Sequence, residues 1–264
     1  MIRNGPLSLL LHAAITCFVL LPLVVVVLVA FTPENTLSMP WAGPSLRWFY
    51  AVFDNTLFIV AFTNSLLLGV ISATLSTLFA IPASIAIARY KFKGSGAMNA
   101  LFLSPLIIPH LVLGVALVRL FSLLGVNGSF LWLILSHVTI ITPYCMRLIL
   151  SALTDFDQNA EHAARTLGAS EWTVFQRITL PLLLPGICGG WLLAFINSFD
   201  ELTMSIFITS PSTYTLPVRM YMYASESIDP MMAAISALMI LITAVSMFLI
   251  DRLFGLDRLL VGKG

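Results

Sequence analysis

Three polar side chains interrupt an apolar run in the C-terminal half of the chain. Asn197, Asp200 and Glu201 lie within residues 186–208, which are otherwise mostly apolar. On an α-helix the three fall within an arc of about 100°. A carboxylate inside a membrane is costly unless it faces water or a partner, so such residues are candidates for a functional site. Two acids with no Lys or Arg in the same run suit a positively charged solute such as an amine. The alternative is that one or both acids pair with a neighbouring helix or lie near the outer interface.

Two histidines, His110 and His137, also lie in apolar runs. An imidazole titrates near neutral pH, so a proton relay is one interpretation, and a histidine hydrogen-bonded inside a helix bundle is the other. The chain contains no GxxxxGK[ST], GxSxG, HExxH or CxxC motif. We therefore expect a partner ATPase or an ion gradient to supply the energy for any transport.

Long apolar helices would have to position these side chains. The 264 residues are 59% hydrophobic and 9% charged, whereas soluble domains carry about 25% charged residues. A helix needs about 20 apolar residues to cross a bilayer, and runs without period-two alternation favour helices over strands. The apolar runs are residues 7–31, 56–88, 97–123, 130–153, 186–208 and 231–253. We expect an all-α integral membrane protein with six transmembrane helices, forming one domain over residues 1–264. The third helix should bend at Pro105 and Pro109.

The basic residues predict the orientation of these helices. If the N-terminus is inside, ten of the 13 Lys and Arg fall on the inner side, which is the side that carries the excess in membrane proteins. The ten are Arg3, Arg89, Lys91, Lys93, Arg147, Arg165, Arg177, Arg252, Arg258 and Lys263. Both termini and a polar segment at about residues 154–185 are therefore predicted to be cytoplasmic. The net charge of +1 gives no indication of nucleic-acid binding.

This polar segment is the one long interruption between apolar runs. It offers an amphipathic helix, a break at Gly168, a second amphipathic run, and then Pro181 and Pro185. Glycine permits a sharp change of direction. The pattern predicts a compact knob at the membrane surface, suited to docking a soluble motor protein.

The knob resembles the cytoplasmic EAA loop of bacterial ABC importer permeases. That pattern is E-A-A, three residues, G, nine residues and I-x-L-P, and the matching positions here are Ala163, Ala164, Gly168, Ile178, Leu180 and Pro181. His162 stands where the family usually has glutamate, and Glu161 lies one place earlier, which turns its side chain by about 100°. The resemblance implies a type I importer permease fold and a coupling helix that docks into a groove of a cytoplasmic ATPase. The implied docking residues are Glu161, His162, Ala163, Ala164, Leu167 and Gly168.

Most of the chain resembles the second permease subunit of spermidine/putrescine-type importers, through the RYKF turn, the LGAS sequence and the TLP sequence at 215–217. This implies two ABC ATPase subunits that bind ATP and Mg, a second homologous permease, and a periplasmic or extracellular solute-binding protein. The protein would be a multi-pass protein of the bacterial inner membrane, in contact with lipid, with no cofactor or metal in this chain. Asn197, Asp200 and Glu201 would line the solute pathway. Weaker candidates for contacts on the outer side are Tyr214, Tyr221, Tyr223 and Glu226.

Other functions remain open from the sequence. The solute could be a polyamine or another amine, such as a γ-aminobutyrate-like compound or an aminophosphonate, because the binding protein sets most of the selectivity in this family. A stand-alone proton-coupled secondary transporter would use the acids and His110 as a relay, but such carriers usually show internal repeats, and none is visible here. A membrane-embedded enzyme is a further alternative, although no nucleophile–base set or metal-ligand cluster is visible.

Overall fold

The computed structural model describes residues 5–90, 92–154 and 158–254. Within these ranges the regular structure is helical and no strand occurs, which confirms the all-α prediction. Four of the basic residues used to orient the chain, Arg3, Lys91, Arg258 and Lys263, lie outside the described residues. In chain order the helices are α1 (Pro6–Val29), α2 (Arg47–Asp54), α3 (Thr56–Arg89), α4 (Ser95–Leu103), α5 (His110–Leu124), α6 (Phe130–Thr154), α7 (Asn159–Thr166), α8 (Glu171–Val174), α9 (Leu180–Phe199), α10 (Ser205–Ile208), α11 (Leu216–Glu226) and α12 (Pro230–Phe254).

Five helical segments in the described part of the chain are long and apolar enough to cross a membrane. Four contain α1, α3, α6 and α12, and the fifth runs from α8 to the end of α9. A bent pair of shorter helices would form a sixth span. The six apolar runs of the sequence are therefore all accounted for.

The bent pair is the third predicted span. One arm runs over Ser95–Leu106 and ends in a 3-10 turn, the other is α5, and the two meet at 97°. Pro105 lies in the turn, and Pro109 directly precedes α5. A proline lacks the backbone N–H and clashes with the preceding turn, so two of them within five residues interrupt the helix.

The fifth span begins and ends earlier than we predicted. Instead of 186–208, the helical segment is Glu171–Phe199. Pro181 falls inside it as the second residue of α9, and a π-helical turn, Phe175–Thr179, joins α8 to α9. The i→i+5 pairing of a π-turn adjusts the hydrogen-bond ladder beside a residue without an N–H. Because α9 stops at Phe199, Glu201 lies beyond the helix, and the single helical arc assumed for the three polar side chains is wrong.

Packing divides the chain into two compact units. One contains the described part of residues 1–60 together with Arg219–Ala244, and the other contains 61–218 with the described part of 245–264. In the first unit, the indole N–H of Trp48 donates to the carbonyl of Glu34 at 3.0 Å and holds α2 to the loop before it. The prediction of a single domain over the whole chain stays a prediction.

The second unit is built on the close approach of α6 and α9. A Cβ placed on Gly186 would lie 2.7 Å from the Ala152 Cβ, and one on Gly190 would lie 3.1 Å from the Cys145 Cα. Small residues let helix backbones approach in this way in membranes. This contact holds the first half of α9 against α6, and a hydrogen bond between His137 and Ser198 joins the two helices nearer the C-terminal end of α9, where the polar side chains lie.

Candidate functional site

A cavity of about 230 Å³ lies at the C-terminal end of α9, and we call it the acidic pocket. Asn197, Asp200 and Glu201 all line it, together with His110. The three side chains predicted from the sequence are therefore brought together, although by a helix end and the following loop rather than by one helical face.

Glu201 is buried, with 6% of its surface exposed. One carboxylate oxygen accepts the Met204 N–H at 2.7 Å, and the other accepts the Ser205 N–H at 2.9 Å and the Ser205 hydroxyl at 2.7 Å. These donors cap the start of α10 and satisfy a buried charge that would otherwise be costly. Glu201 thus shapes the loop as well as contributing charge.

His110 supplies a base beside this carboxylate. Its Nδ1 lies 3.6 Å from the Glu201 Oε1. His110 is the first residue of α5, directly after the break at Pro109, so the bend delivers the imidazole to the acidic pocket. A Cβ on Gly114 would meet the Met204 carbonyl at 3.1 Å, which shows how closely α5 packs on this loop. The sequence suggested a relay between His110 and the acids only under the alternative of a stand-alone carrier, and it could not predict the contact with Glu201.

His137 extends the polar network into α6. It is fully buried, with Nδ1 2.8 Å from the Ser198 hydroxyl and Nε2 3.0 Å from the Ser205 hydroxyl. Because Ser205 donates its only hydroxyl proton to Glu201, it can only accept from His137. A neutral His137 therefore carries its proton on Nε2 and accepts from Ser198 on Nδ1. Of the two interpretations, the histidine hydrogen-bonded within the bundle describes this geometry.

The other two side chains of the pocket differ from Glu201. Asp200 is exposed at the C-cap of α9, and Asn197 is half-buried and donates to the Leu193 carbonyl at 2.8 Å. Among residues 5–90, 92–154 and 158–254, no group of three His, Cys, Asp or Glu side chains converges as metal ligands. Of the two carboxylates in the acidic pocket, that of Asp200 is the more accessible.

The second candidate site is the helix α7 and the turn after it, which we call the coupling helix. It ends as the sequence predicts: Gly168 has φ +87°, its N–H donates to the Arg165 carbonyl at 2.9 Å, and the Ala169 N–H donates to the Ala164 carbonyl at 3.0 Å. This pair of bonds is a Schellman motif, which favours glycine at that position. Leu167 is 88% exposed at the tip.

The remaining predicted docking residues divide into two groups. His162, Ala163 and Gly168 are exposed and Ala164 is half-buried, so all four are accessible on the coupling helix. Glu161 is not: 2% of its surface is exposed. It faces inward and is not placed for a direct docking contact.

Glu161 instead pairs with a cation from a distant part of the chain. Both of its oxygens accept from Nη1 of Arg89 at 2.7 Å. Arg165 lies 3.7 Å away and makes a closer pair, at 2.7 Å, with the exposed Glu171. This hydrogen bond to Glu171 raises the pKa of Arg165 above its ordinary value. A cavity of about 600 Å³ lies beside these charges. The sequence indicated only that the acid is shifted by one position from the family pattern. Its partner, Arg89, lies 72 residues earlier and could not be identified from the sequence.

The four residues predicted for the outer side are not equally available. Tyr214 is half-buried, and its carbonyl accepts from the Asn64 amide at 3.0 Å. The Tyr223 hydroxyl donates to Asp229 at 2.5 Å, and burial together with this bond raises the pKa of Tyr223. Tyr221 and Glu226 are exposed. Of the four, Tyr221 and Glu226 are therefore the accessible candidates for contacts on the outer side.

Known proteins resemble the chain in sequence over most of its length. The family described as binding-protein-dependent transport system inner membrane component matches residues 80–255. The spermidine/putrescine transport system permease protein PotC of Escherichia coli (strain K12) is 30% identical over 245 residues, covering 93% of this chain and 92% of PotC. The putrescine transport system permease protein PotI of the same organism is 30% identical over 230 residues, covering 84% of this chain and 82% of PotI.

A solved structure resembles the fold. It is a bacterial ABC transporter involved in the import of the acidic polysaccharide alginate, with a TM-score of 0.66 over 94% of this chain and 93% of that one. The sequences are 13% identical, so the likeness concerns the fold alone.

Proposed function

Because the chain belongs to the family of binding-protein-dependent transport system inner membrane components, we propose that it is one of two permease subunits of a bacterial ATP-driven importer of polyamines. Its partners would be two ATPase subunits, a second homologous permease and a solute-binding protein outside the membrane. ATP and Mg would bind to the ATPases. The termini and the coupling helix would face the cytoplasm.

The observation that carries the proposal is the similarity to PotC and PotI over most of both chains, since both are described as permeases for polyamines. Spermidine and putrescine are cations at neutral pH. The acidic pocket, with Asp200 exposed at its edge, has the charge that such a solute needs. Fold likeness alone would not select this solute, because the structural relative is involved in the import of an acidic polysaccharide.

The coupling helix supports the role of the ATPase. Its tip presents the exposed side chain of Leu167 beside small residues, and its turn is fixed by the glycine cap. A small apolar knob with a fixed backbone is suited to a groove on a soluble partner. A displacement of that groove would move the ends of the spans attached to the coupling helix.

The transport test uses the full complex in proteoliposomes. We expect ATP-dependent uptake of labelled spermidine or putrescine when the binding protein is present. Uptake of γ-aminobutyrate or an aminophosphonate in place of both polyamines would support the alternative amine importer. The absence of any ATP-dependent uptake by an intact complex would refute the importer proposal.

The docking test compares two substitutions of similar size at Gly168. Asn adopts the left-handed conformation more readily than most residues, and Asp shares that tolerance, while no atom lies within 4 Å of the added Cβ. Gly168→Asn should therefore retain ATPase binding, whereas Gly168→Asp places a charge against the partner and should reduce co-purified ATPase and uptake at least tenfold. Equal ATPase binding by the two variants would contradict docking at this surface.

A proton-coupled carrier that acts alone is the second candidate. The observation in its favour is the connected series His110, Glu201, Ser205 and His137 in the acidic pocket. Such a carrier would accumulate solute in response to an imposed pH gradient, in vesicles that contain this chain and no ATPase. The proposed importer should show no uptake under that condition.

A further inference from the structure

The carboxylate of Glu161 joins three separate helical segments. Arg89, which pairs with both of its oxygens at 2.7 Å, is the last residue of α3. The hydroxyl of Thr179, the last residue of the π-turn that leads into α9, donates to the Glu161 Oε1. Glu161 itself belongs to the coupling helix. We call Arg89, Glu161 and Thr179 the Glu161 clamp.

The carboxylate at the centre of the clamp is buried. Glu161 is 2% exposed, the Arg89 side chain 17%, and Thr179 is buried. A buried charge depends on its partner, because separating the pair would leave the Glu161 carboxylate poorly solvated. Ordinary fluctuations should therefore not part the coupling helix from the end of α3.

The clamp differs in position from the other ion pair of the same segment. The Arg165–Glu171 pair is exposed at Glu171 and joins the coupling helix only to α8, which follows it directly in the chain. By contrast, α3 is a 34-residue helix that begins at Thr56 and is distant in sequence from the coupling helix. The clamp thus gives the coupling helix a direct connection to this span, which the Arg165–Glu171 pair does not.

We propose that Glu161 is a positioning residue that makes the coupling helix, the C-terminal end of α3 and the start of α9 one rigid unit. This rests on the proposed function, in which an ATPase displaces the coupling helix. The displacement then reaches α3 through the Arg89–Glu161 contact and α9 through Thr179. Glu161 acts on transport from inside the protein, while His162, Ala163 and Leu167 meet the ATPase.

The functional test measures solute imported per ATP hydrolysed in the reconstituted complex. Glu161→Gln and Arg89→Gln should keep co-purified ATPase and stimulated hydrolysis within about twofold of wild type, because they leave the docking surface unchanged. Uptake should fall at least tenfold, so the ratio falls by the same factor. Arg89→Lys, which keeps the charge, should give an intermediate ratio. The control Glu171→Gln should leave the ratio unchanged.

Two results would refute the proposed role of the clamp. One is a wild-type ratio of solute imported to ATP hydrolysed in both Gln variants. The other is a parallel loss of hydrolysis, uptake and bound ATPase, which would indicate a role in docking or folding only. Failure of wild type to couple ATP to uptake would instead refute the proposed function, and this inference with it.

A distance measurement tests the rigid unit without altering the clamp. Spin labels would be attached to cysteines that replace Tyr90 and Ala160, both exposed, in a chain lacking Cys17, Cys145 and Cys188. The distance between the labels should be the same with and without bound ATP while the complex remains active in uptake. A change in this distance on ATP binding would show that the coupling helix moves independently of α3, and the proposal would fail even if the Gln variants could not be assembled.

Discussion

Glu201→Gln and Asp200→Asn should have different effects on stability, although both remove one charge from the acidic pocket. Glu201 accepts three hydrogen bonds through two buried oxygens, whereas the Asp200 side chain is exposed. A glutamine has one acceptor oxygen, and its NH₂ group must face donors on the other side. With the NH₂ group toward Met204, the fewest donors are lost, but that backbone N–H is still left without an acceptor.

The magnitude follows from this count. One buried donor left unsatisfied costs about 1–3 kcal/mol, which corresponds to about a 5- to 150-fold shift in the unfolding equilibrium. Exposed substitutions usually change stability by within about 0.5 kcal/mol. We therefore expect Glu201→Gln to destabilise the purified permease, and Asp200→Asn to leave its stability unchanged while reducing polyamine uptake.

The assay is reversible unfolding in mixed micelles with increasing SDS, followed by circular dichroism. Glu226→Gln, at an exposed glutamate, is the matched control for stability and should unfold as wild type does. Wild-type stability of Glu201→Gln would refute the argument that this carboxylate caps α10. Normal uptake by Asp200→Asn would remove Asp200 from the solute pathway.

Three further substitutions test one helix–helix contact, one pair of hydrogen bonds to a loop and one helix cap. Gly186→Ala places a Cβ 2.7 Å from the Ala152 Cβ and should destabilise the protein by about 1–3 kcal/mol. Ala152→Gly in the same chain should restore part of this stability in SDS unfolding. Strictly additive effects of the two substitutions would contradict the contact. Asn64→Leu removes two hydrogen bonds, of 3.2 and 3.0 Å, to backbone carbonyls of the loop after α10, so amide exchange in residues 209–215 should speed up, and unchanged exchange would argue against this tie. Ser170→Ala removes the side-chain acceptor for an N–H in the first turn of α8 and should cost about 1 kcal/mol, measured by the same unfolding; no loss would mean that the cap contributes nothing.

The spans could be predicted from composition because a bilayer requires long apolar helices, and the bend of the third span followed from Pro105 and Pro109. The end of α9 could not be predicted. Residues 200–204 contain neither glycine nor proline, and glutamate is not among the residues preferred as helix caps. The helix stops there because tertiary packing and the hydrogen bonds of Glu201 stabilise a turn that local sequence does not favour.

In the candidate sites too, features set by local sequence could be predicted and features set by tertiary contacts could not. The exposed tip of the coupling helix followed from the spacing of a local motif, since Gly168 must take a positive φ. The inward direction of Glu161 depends on Arg89, and the environment of Glu201 depends in part on His110. Such contacts between distant segments require the fold, because a sequence pattern reports only neighbours along the chain.

The 97° bend between the two arms of the third span also restricts what can surround it. Helix ends leave backbone N–H and C=O groups without intrahelical partners, and hydrocarbon cannot hydrogen-bond to them. If the bend lies at membrane depth, water or another protein must therefore cover it, even though Ile107 is 83% exposed in this chain. A cysteine at Ile107 should then react with a water-soluble maleimide that does not react at lipid-facing positions of α1, or become protected when the second permease binds. At that depth the bend would mark a part of the surface that lipid tails alone cannot solvate.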